Sequence, residues 1–273
     1  MTLALAVVAG VLIGLSVGAL GGGGSILAVP VLVYLLDQTP AEATTGSLVV
    51  VGVTALIGAT AALRAGNVLL GRGAVFGTVA IGGAAIGAKA ASHVSGEVLL
   101  AAFAGLLLLI GSLMAWRQVR HGRRGDPTAV RPRLDDPILT FSPTFACNCP
   151  RALKLLLTAT AVGLLTGFLG VGGGFLVVPA LVLALGLPMQ YAAGTSLVAI
   201  TITSAAALLV RAGTDAHPDW GFVLVLTAAS GVAAAFGALV ADRMDTARLQ
   251  GAFTSLVLVV ALYTAARALP ALF

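Results

Sequence analysis

The sequence predicts an all-α polytopic membrane protein made of two homologous repeats, each with about four hydrophobic segments. Composition gives the first reason, since 59% of the 273 residues are hydrophobic, only 9% are charged and the mean hydropathy is +1.08. Soluble domains carry about 25% charged residues, so this composition belongs in lipid. The second reason is a hydrophobic stretch with a central glycine cluster, which occurs twice, 149 positions apart.

Stretches without a charged residue follow one another along the whole chain. A helix that spans a bilayer needs about 20 apolar residues, and most of the stretches are near that length. They cover residues 3–36, 43–63, 73–88, 98–116, 155–185, 192–210, 221–241 and 249–266. This spacing gives about four predicted segments in each half.

Two of the stretches, 3–36 and 155–185, are too long for one membrane helix. As continuous helices they would measure about 51 and 46 Å at 1.5 Å per residue, whereas the hydrocarbon core is about 30 Å thick. Each contains a glycine cluster near its middle and a proline six residues further on. Glycine and proline are the least favourable residues inside a helix. We therefore predict two helical pieces in each stretch, namely 3–20 with 24–36 and 155–169 with 174–186.

The repeat is visible residue by residue around the glycine clusters. The first copy reads GLSVGALGGGGSILAVP from Gly14 to Pro30, and the second reads GLLTGFLGVGGGFLVVP from Gly163 to Pro179. Further on, Thr45-Gly46-Ser47-Leu48 aligns with Gly194-Thr195-Ser196-Leu197, and Arg64-Ala65-Gly66 aligns with Arg211-Ala212-Gly213. The predicted units are membrane repeat 1 (1–117), a linker (118–151) and membrane repeat 2 (152–273).

The linker region carries most of the charge, with seven arginines and three acidic residues between positions 117 and 151. Basic residues concentrate in cytoplasmic loops, so we expect a cytoplasmic linker in a multi-pass protein of the plasma (bacterial inner) membrane. This topology signal explains the charge better than nucleic-acid binding does.

The charges do not decide whether the two repeats are parallel or inverted. Either arrangement leaves 12 of the 15 basic residues on the side of the linker. We favour inverted repeats, because the two broken stretches have the form of hairpins that enter the membrane and return.

The two glycine clusters and the hydroxyl residues that follow them are the predicted anion-binding site. A helix that starts at residue 24 or 174 directs several unpaired N–H groups, with about half a positive charge, toward its cluster. Consecutive glycines let an oxyanion approach the backbone, and hydroxyls at the start of the next helix add donors. The candidate substrate-binding residues are Gly21, Gly22, Gly23, Gly24, Ser25, Thr45, Ser47, Gly170, Gly172, Gly173, Gly174, Thr195 and Ser196.

Structural interpretations compete with binding at these and neighbouring positions. The hydroxyls would equally serve as helix caps. Arg64 and Arg211 are expected to extend to the lipid headgroups, with a gating or substrate-funnel role as the alternative. For four glycines outside the clusters we prefer close helix packing to binding, namely Gly14, Gly18, Gly163 and Gly167.

The doubled motif resembles the TauE/SafE sulfite exporter family, also called the toluene sulfonate uptake permease family. The motif reads G-x-x-x-G-x-x-G-x-G-G-G-x-x-x-x-P, with a turn similar to G-T-S-L after it in each half. The second half fits best, and the first half departs at Gly22, Ser25 and Thr45-Gly46-Ser47. The resemblance covers residues 3–268 apart from the linker. It implies a secondary transporter of small sulfur-containing anions such as sulfite, sulfonates or sulfoacetate.

Two other functions stay open on the residues alone. One is an uncoupled anion channel or facilitator, and the other is a membrane enzyme that handles sulfur with Cys147 and Cys149. The enzyme is disfavoured because the histidines and acids lie scattered at segment ends without a nucleophile and base pair. We expect no catalytic residue, cofactor or metal. The expected partners are the sulfur anion, a coupling proton or cation and the lipid bilayer, but no nucleic acid. The sequence leaves open whether the protein forms a homodimer.

Overall fold

The computed structural model describes residues 2–32, 38–91, 96–123, 149–169, 174–211 and 219–272. Within these ranges the protein has ten α-helices, one 3-10 turn and no β-strand, which confirms the predicted all-α class. The first half contains α1 (Thr2–Leu20), α2 (Ser25–Pro30), α3 (Pro40–Arg64), α4 (Leu70–Ala91) and α5 (Gly96–Arg123). The second half contains α6 (Cys149–Leu169), α7 (Gly174–Leu183), α8 (Met189–Arg211), α9 (Trp220–Arg243) and α10 (Thr246–Leu272).

Six of the described helices, α3, α4, α5, α8, α9 and α10, are long and apolar enough to cross a membrane. The first helix of each half contains a shorter apolar stretch, Ala4–Leu20 in α1 and Leu153–Phe168 in α6. The chain is therefore a multi-pass membrane protein. Helix α5 extends to Arg123 and α6 begins at Cys149, so both helices reach into the ends of the predicted linker.

Glycine geometry ends α1 where the sequence predicts a break. Gly21 has φ 71° and ψ −126°, a conformation that residues with a side chain rarely adopt. A 3-10 turn, Gly22–Gly24, then leads into α2. In the second half, α6 ends at Leu169 and α7 begins at Gly174, the positions at which the predicted pieces also end and begin. The end of α7 at Leu183 is earlier than the predicted residue 186, and Gly186 turns the chain with φ 66°.

A capping box at Thr39 starts α3 earlier than the predicted helix start near Thr45 and Ser47. The Thr39 hydroxyl oxygen accepts a hydrogen bond from the Glu42 amide, and the Glu42 carboxylate accepts one from the Thr39 amide at 3.0 Å. This reciprocal pair satisfies two amides that the first turn leaves unpaired. Thr45 and Ser47 therefore lie inside α3. The prediction that they stand at the start of their helix is wrong, and it is wrong for Thr195 and Ser196 as well, because α8 begins at Met189.

Each half packs its first helix against the fourth helix of the other half. Gly14 and Gly18 of α1 touch the α9 backbone, and Gly163 and Gly167 of α6 touch the α4 backbone, so closely that a Cβ atom would overlap it. The residues they touch are Ser230, Ala234, Ala80 and Ala84, in that order. Membrane helices associate through such close approach of small residues. The packing interpretation of these four glycines is therefore confirmed.

Equivalent helices of the two halves run antiparallel. Along α3 and α8, Gly52 faces Ser204 and Gly58 faces Leu197, so the numbers rise in one helix as they fall in the other. The same holds for α5 and α10, where Gly111 contacts Leu258 and Gly251 approaches Gln118. A two-fold axis that relates antiparallel spanning helices lies in the membrane plane. The two halves thus have the inverted topology of many secondary transporters.

The helix directions define two faces of the molecule. Helices α1, α3 and α9 run the same way, because the numbers rise together in their contacts. Gly10 contacts Leu226 and Gly18 contacts Ala234, while Gly46 contacts Val223 and Thr54 shares a hydrogen bond of 2.7 Å with Ser230. The end of α5 and the start of α6 share one face with the α3–α4, α7–α8 and α9–α10 connections, and we call it the linker face. The starts of α1 and α3 and the ends of α4 and α8 lie at the opposite face.

We predict that Gly163→Ala lowers the thermal stability of the purified protein in detergent. The added methyl group would overlap the Ala80 backbone, and overpacking of this kind costs about 1–3 kcal/mol. The matched control is Gly105→Ala in the middle of α5, where a Cβ atom would meet nothing within 4 Å. That change removes a helix glycine without a clash, so its melting temperature should equal or exceed that of the wild type. Equal losses in the two variants would contradict the packing role.

Candidate functional site

The 3-10 turn of the first half meets the start of α7 inside the bundle. Gly22 lies against the Gly174 carbonyl, and the Ser25 hydroxyl lies 2.8 Å from where a Cβ atom of Gly174 would be. Ser25 and Gly174 are equivalent in the repeat, 149 positions apart, so the pseudo-two-fold axis passes close to them. Gly174 also packs on Ile200, which is midway along the 23-residue α8. The two broken stretches therefore come together near the middle of the membrane-spanning layer.

The first glycine cluster is packed against three helices, α1, α8 and α10. Gly21 lies against Ser196 and Ala193 of α8, Gly23 lies on the Phe253 ring of α10, and Gly24 touches the α1 backbone. The Ser25 hydroxyl donates a hydrogen bond of 2.6 Å to the Gly22 carbonyl within the same turn. The cluster thus forms part of the contact between the two halves. Of the second cluster, Gly174 is buried in that contact, and Gly170, Gly172 and Gly173 lie outside the described residues.

A cavity of about 350 Å³ lies beside this contact, between α3, α4, α6 and α8. It runs from Ile81 and Ser204, near the level of the helix breaks, to Ala88 and Val210 in the last turns of α4 and α8 at the opposite face. Most of its wall is alanine and aliphatic carbon. The polar residues that line it are Thr44, Ser47, Thr166, Thr203, Ser204 and Arg211.

The hydroxyls of the cavity bond to their own helices in this state. Ser47 donates to the Thr44 carbonyl at 2.9 Å, Thr166 to the Gly163 carbonyl at 2.8 Å, and Thr203 to the Ile200 carbonyl at 3.1 Å. These three residues line the cavity, and rotation about one bond would turn each hydroxyl proton from the carbonyl toward a bound oxyanion. The wall can therefore supply several donors without any movement of the backbone.

Arg211 supplies the positive charge of the cavity. It is the last residue of α8, and its Nη1 donates to the Thr44 hydroxyl at 2.9 Å and to the Thr45 hydroxyl at 3.4 Å. Among the residues that line the cavity, Arg211 is cationic and none is acidic. The sequence singled out Arg211 through its repeat partner Arg64, and extension to the headgroups was the preferred interpretation. The structure instead ties the guanidinium to the start of α3, across the interface between the two halves.

The predicted hydroxyl residues of the second half have a different setting. Thr195 is fully buried and accepts a hydrogen bond of 3.1 Å from the Leu69 amide, just before α4 begins. Ser196, also fully buried, donates to the Ala193 carbonyl at 2.7 Å and contacts Gly21. Of the predicted residues, Ser47 lines the cavity and Thr45 bonds to Arg211 at its wall. Thr195 and Ser196 lie toward the linker face.

Cysteine, histidine and carboxylate side chains do not converge anywhere in the part of the chain that the structure describes, where no group of three or more could hold a metal ion. Cys147 lies outside the described residues, and Cys149 is the first residue of α6.

Comparison with known proteins shows that the chain is similar to membrane transporters. The family model described as Sulfite exporter TauE/SafE matches residues 6–264. A probable membrane transporter protein of Xylella fastidiosa (strain Temecula1 / ATCC 700964) is 32% identical over 257 residues, which cover 93% of this chain and 91% of the relative. The probable membrane transporter protein YunE of Bacillus subtilis (strain 168) is 27% identical over 254 residues, covering 90% and 91%. No solved structure matches the chain.

We predict that Thr195→Val destabilises the fold. Valine has nearly the same shape but leaves the Leu69 amide without its acceptor, and an unpaired buried donor costs about 1–3 kcal/mol. Thr60→Val is the matched control, because the Thr60 hydroxyl is exposed and bonds only to the Ile57 carbonyl of its own helix. The melting temperature in detergent should fall for Thr195→Val and stay near the wild-type value for Thr60→Val. A wild-type melting temperature for both would show that the hydrogen bond from the Leu69 amide to Thr195 does not stabilise the fold.

Proposed function

The chain belongs to the Sulfite exporter TauE/SafE family, and we propose that it is a secondary transporter of small sulfur oxyanions of the sulfite, sulfonate or sulfoacetate type. The observation that carries the proposal is the cavity of about 350 Å³ with one arginine and several hydroxyls in its wall. Its volume is at the lower end of the usual range for small-molecule sites, about 300–1,000 Å³. Its charge favours an anion.

The chemistry of the wall supports an oxyanion in particular. Arginine presents N–H donors in a planar fork that matches two oxygens of one anion, and Thr44 and Thr45 hold the Arg211 guanidinium in place. Ser47 and Thr203 offer hydroxyl donors deeper in the cavity. Together these groups can replace the water that a small oxyanion loses on entering.

The glycine clusters belong to the inner part of the proposed route. Ser204, at the inner end of the cavity, is one helical turn from Ile200, which touches Gly174. An anion that has passed Ser204 is thus close to the point where the two breaks meet. We propose that backbone amides of the broken helices receive the anion there, as the helix termini of other repeat-built transporters do.

The distribution of basic residues supports an orientation. Twelve of the 15 basic residues belong to the linker region or to helix ends at the linker face, and the remaining three are Lys89, Arg211 and Arg267. By the positive-inside rule, the linker face is cytoplasmic in the plasma membrane. The cavity then opens away from the cytoplasm.

We predict that Arg211→Gln raises the apparent KM for sulfite about tenfold or more in proteoliposomes, because a hydrogen bond to a charged group contributes about 1.5–3 kcal/mol. The measurement is the initial rate of labelled sulfite uptake as a function of its concentration. Lys89→Gln is the matched control, since Lys89 carries the same charge in the last turn of α4 but does not line the cavity. A similar rise in both variants would mean that general surface potential, not the cavity, attracts the anion.

The same assay separates the proposal from an uncoupled channel. A coupled transporter accumulates labelled sulfite against its gradient when a proton gradient is imposed, whereas a channel only equilibrates it. Accumulation that a proton ionophore abolishes is the expected result. Equilibration with and without the gradient would favour the channel.

We also predict that Cys147→Ser and Cys149→Ser together leave sulfite uptake at the wild-type rate. Cysteines on the cytoplasmic side are kept reduced, and in this proposal they have no part in binding an oxyanion by hydrogen bonds. A loss of most of the uptake would favour the alternative in which these thiols handle sulfur.

A further inference from the structure

The inverted repeat gives the cavity a counterpart at the linker face. A second space there is bounded by Gly18, Ala193 and Ala238, which are the repeat equivalents of Gly167, Thr44 and Ala88 in the wall of the cavity. The two spaces are therefore the same architectural feature, seen from opposite faces. Their sizes differ greatly, with about 350 Å³ in the cavity and about 20 Å³ in its counterpart. The smaller space has room for about one water.

Hydrogen bonds hold the smaller space closed. The Asn67 side-chain amide, in the α3–α4 connection, donates to the Asp242 carboxylate at the end of α9 with a distance of 2.6 Å. Gln190 at the start of α8 donates to the Met244 carbonyl at 2.9 Å. Asn67, Gln190 and Asp242 all line the space. The first bond joins the two halves of the protein across it.

Sequence differences between the repeats explain why the linker face closes and the other face does not. The equivalent of Gln190 in the first half is Ala41, and the equivalent of Thr195, which bonds the Leu69 amide, is Gly46. Neither residue has a polar side chain, so these bonds have no counterpart beside the cavity. The two faces share one backbone plan, and among the residues that the structure describes only the linker face carries this set of hydrogen bonds.

We infer that the collapsed space is the second vestibule of the proposed transport route, and that the Asn67–Asp242 bond is its gate. The inference rests on the proposed transport function. In this state the anion has access from the opposite face alone. Breaking the gate lets the linker side open while the cavity closes, since the two vestibules exchange shapes when the helices packed around α1 and α9 rock against those packed around α4 and α6. Ser196, the equivalent of Ser47, then faces the anion in the second vestibule.

Thiol labelling of the full chain in lipid nanodiscs tests the gate without any substrate. In the Cys147→Ser, Cys149→Ser background, the reporter Ala238→Cys monitors the second vestibule and its repeat equivalent Ala88→Cys monitors the cavity. Asp242→Ala should raise the rate of maleimide labelling at the first reporter about three- to tenfold, as expected for loss of one hydrogen bond. Labelling at the second reporter should fall, because the two openings are exclusive.

Two further variants make the result specific. Asp245→Ala is the matched control, because Asp245 lies just before α10, pairs with Arg248 at the exposed surface and should change neither rate. The exchange Asn67→Asp with Asp242→Asn re-forms an amide–carboxylate bond in the reverse direction and should return both rates to wild type. Unchanged labelling in Asp242→Ala, equal effects of Asp245→Ala, or an exchange variant as open as the single variant would each overturn the gate. A rise at both reporters would indicate unfolding, and the exchange variant must then restore both.

Labelling and transport can fail separately. If the gate behaves as expected but sulfite is not taken up, the vestibules serve another solute and the proposed substrate class is wrong. If sulfite uptake depends on Arg211 but labelling does not respond to Asp242→Ala, the transport function stands and the gate is refuted.

Discussion

Close backbone contact between small residues is the constraint on which the rest of this structure depends. Apolar side chains of membrane helices already lie in lipid, so packing them against another helix removes no contact with water. The helices therefore hold together through van der Waals contact at short range. Here the contact is made by Gly14 and Gly18 on α9 and by Gly163 and Gly167 on α4. Because the first helix of each half packs against the other half, neither half forms its packed core alone. The protein is one interlocked body, although its sequence reads as two units.

This exchange of helices places the functional groups. It brings the two broken stretches toward one axis, where Gly22 meets the Gly174 carbonyl. It also leaves a space on each side of that contact, one toward each face, between helices contributed by both halves. Arg211 reaches Thr44 and Thr45 only because α8 runs antiparallel to α3, which sets the end of one helix beside the start of the other. The fold thus creates both the wall that carries Arg211 and the two spaces on which the proposed transport route depends.

The candidate site shows where inference from sequence reached its limit. Ser47 and Thr45 were identified from the repeat, and both lie at the cavity. The first glycine cluster is predicted as part of the anion-binding site, and in this state its residues pack against α1, α8 and α10. For Arg211 the sequence favours extension to the headgroups, because this is typical of a lone arginine at a segment end. Only its contact with two hydroxyls from a helix 166 and 167 positions away gives it a different role.

The sequence by itself determined the class of the protein, the duplication, the family and the places where helices break. These features depend on composition and on local backbone preference, such as the positive φ at Gly21, which glycine adopts more readily than other residues. Tertiary structure decided the rest. Whether the repeats are inverted, which hydroxyls share a wall and which face is open all depend on contacts between residues more than 100 positions apart, such as Asn67 with Asp242. The pattern of hydrophobic residues along the sequence does not predict such pairs, because the geometry of a contact arises only when the helices have packed.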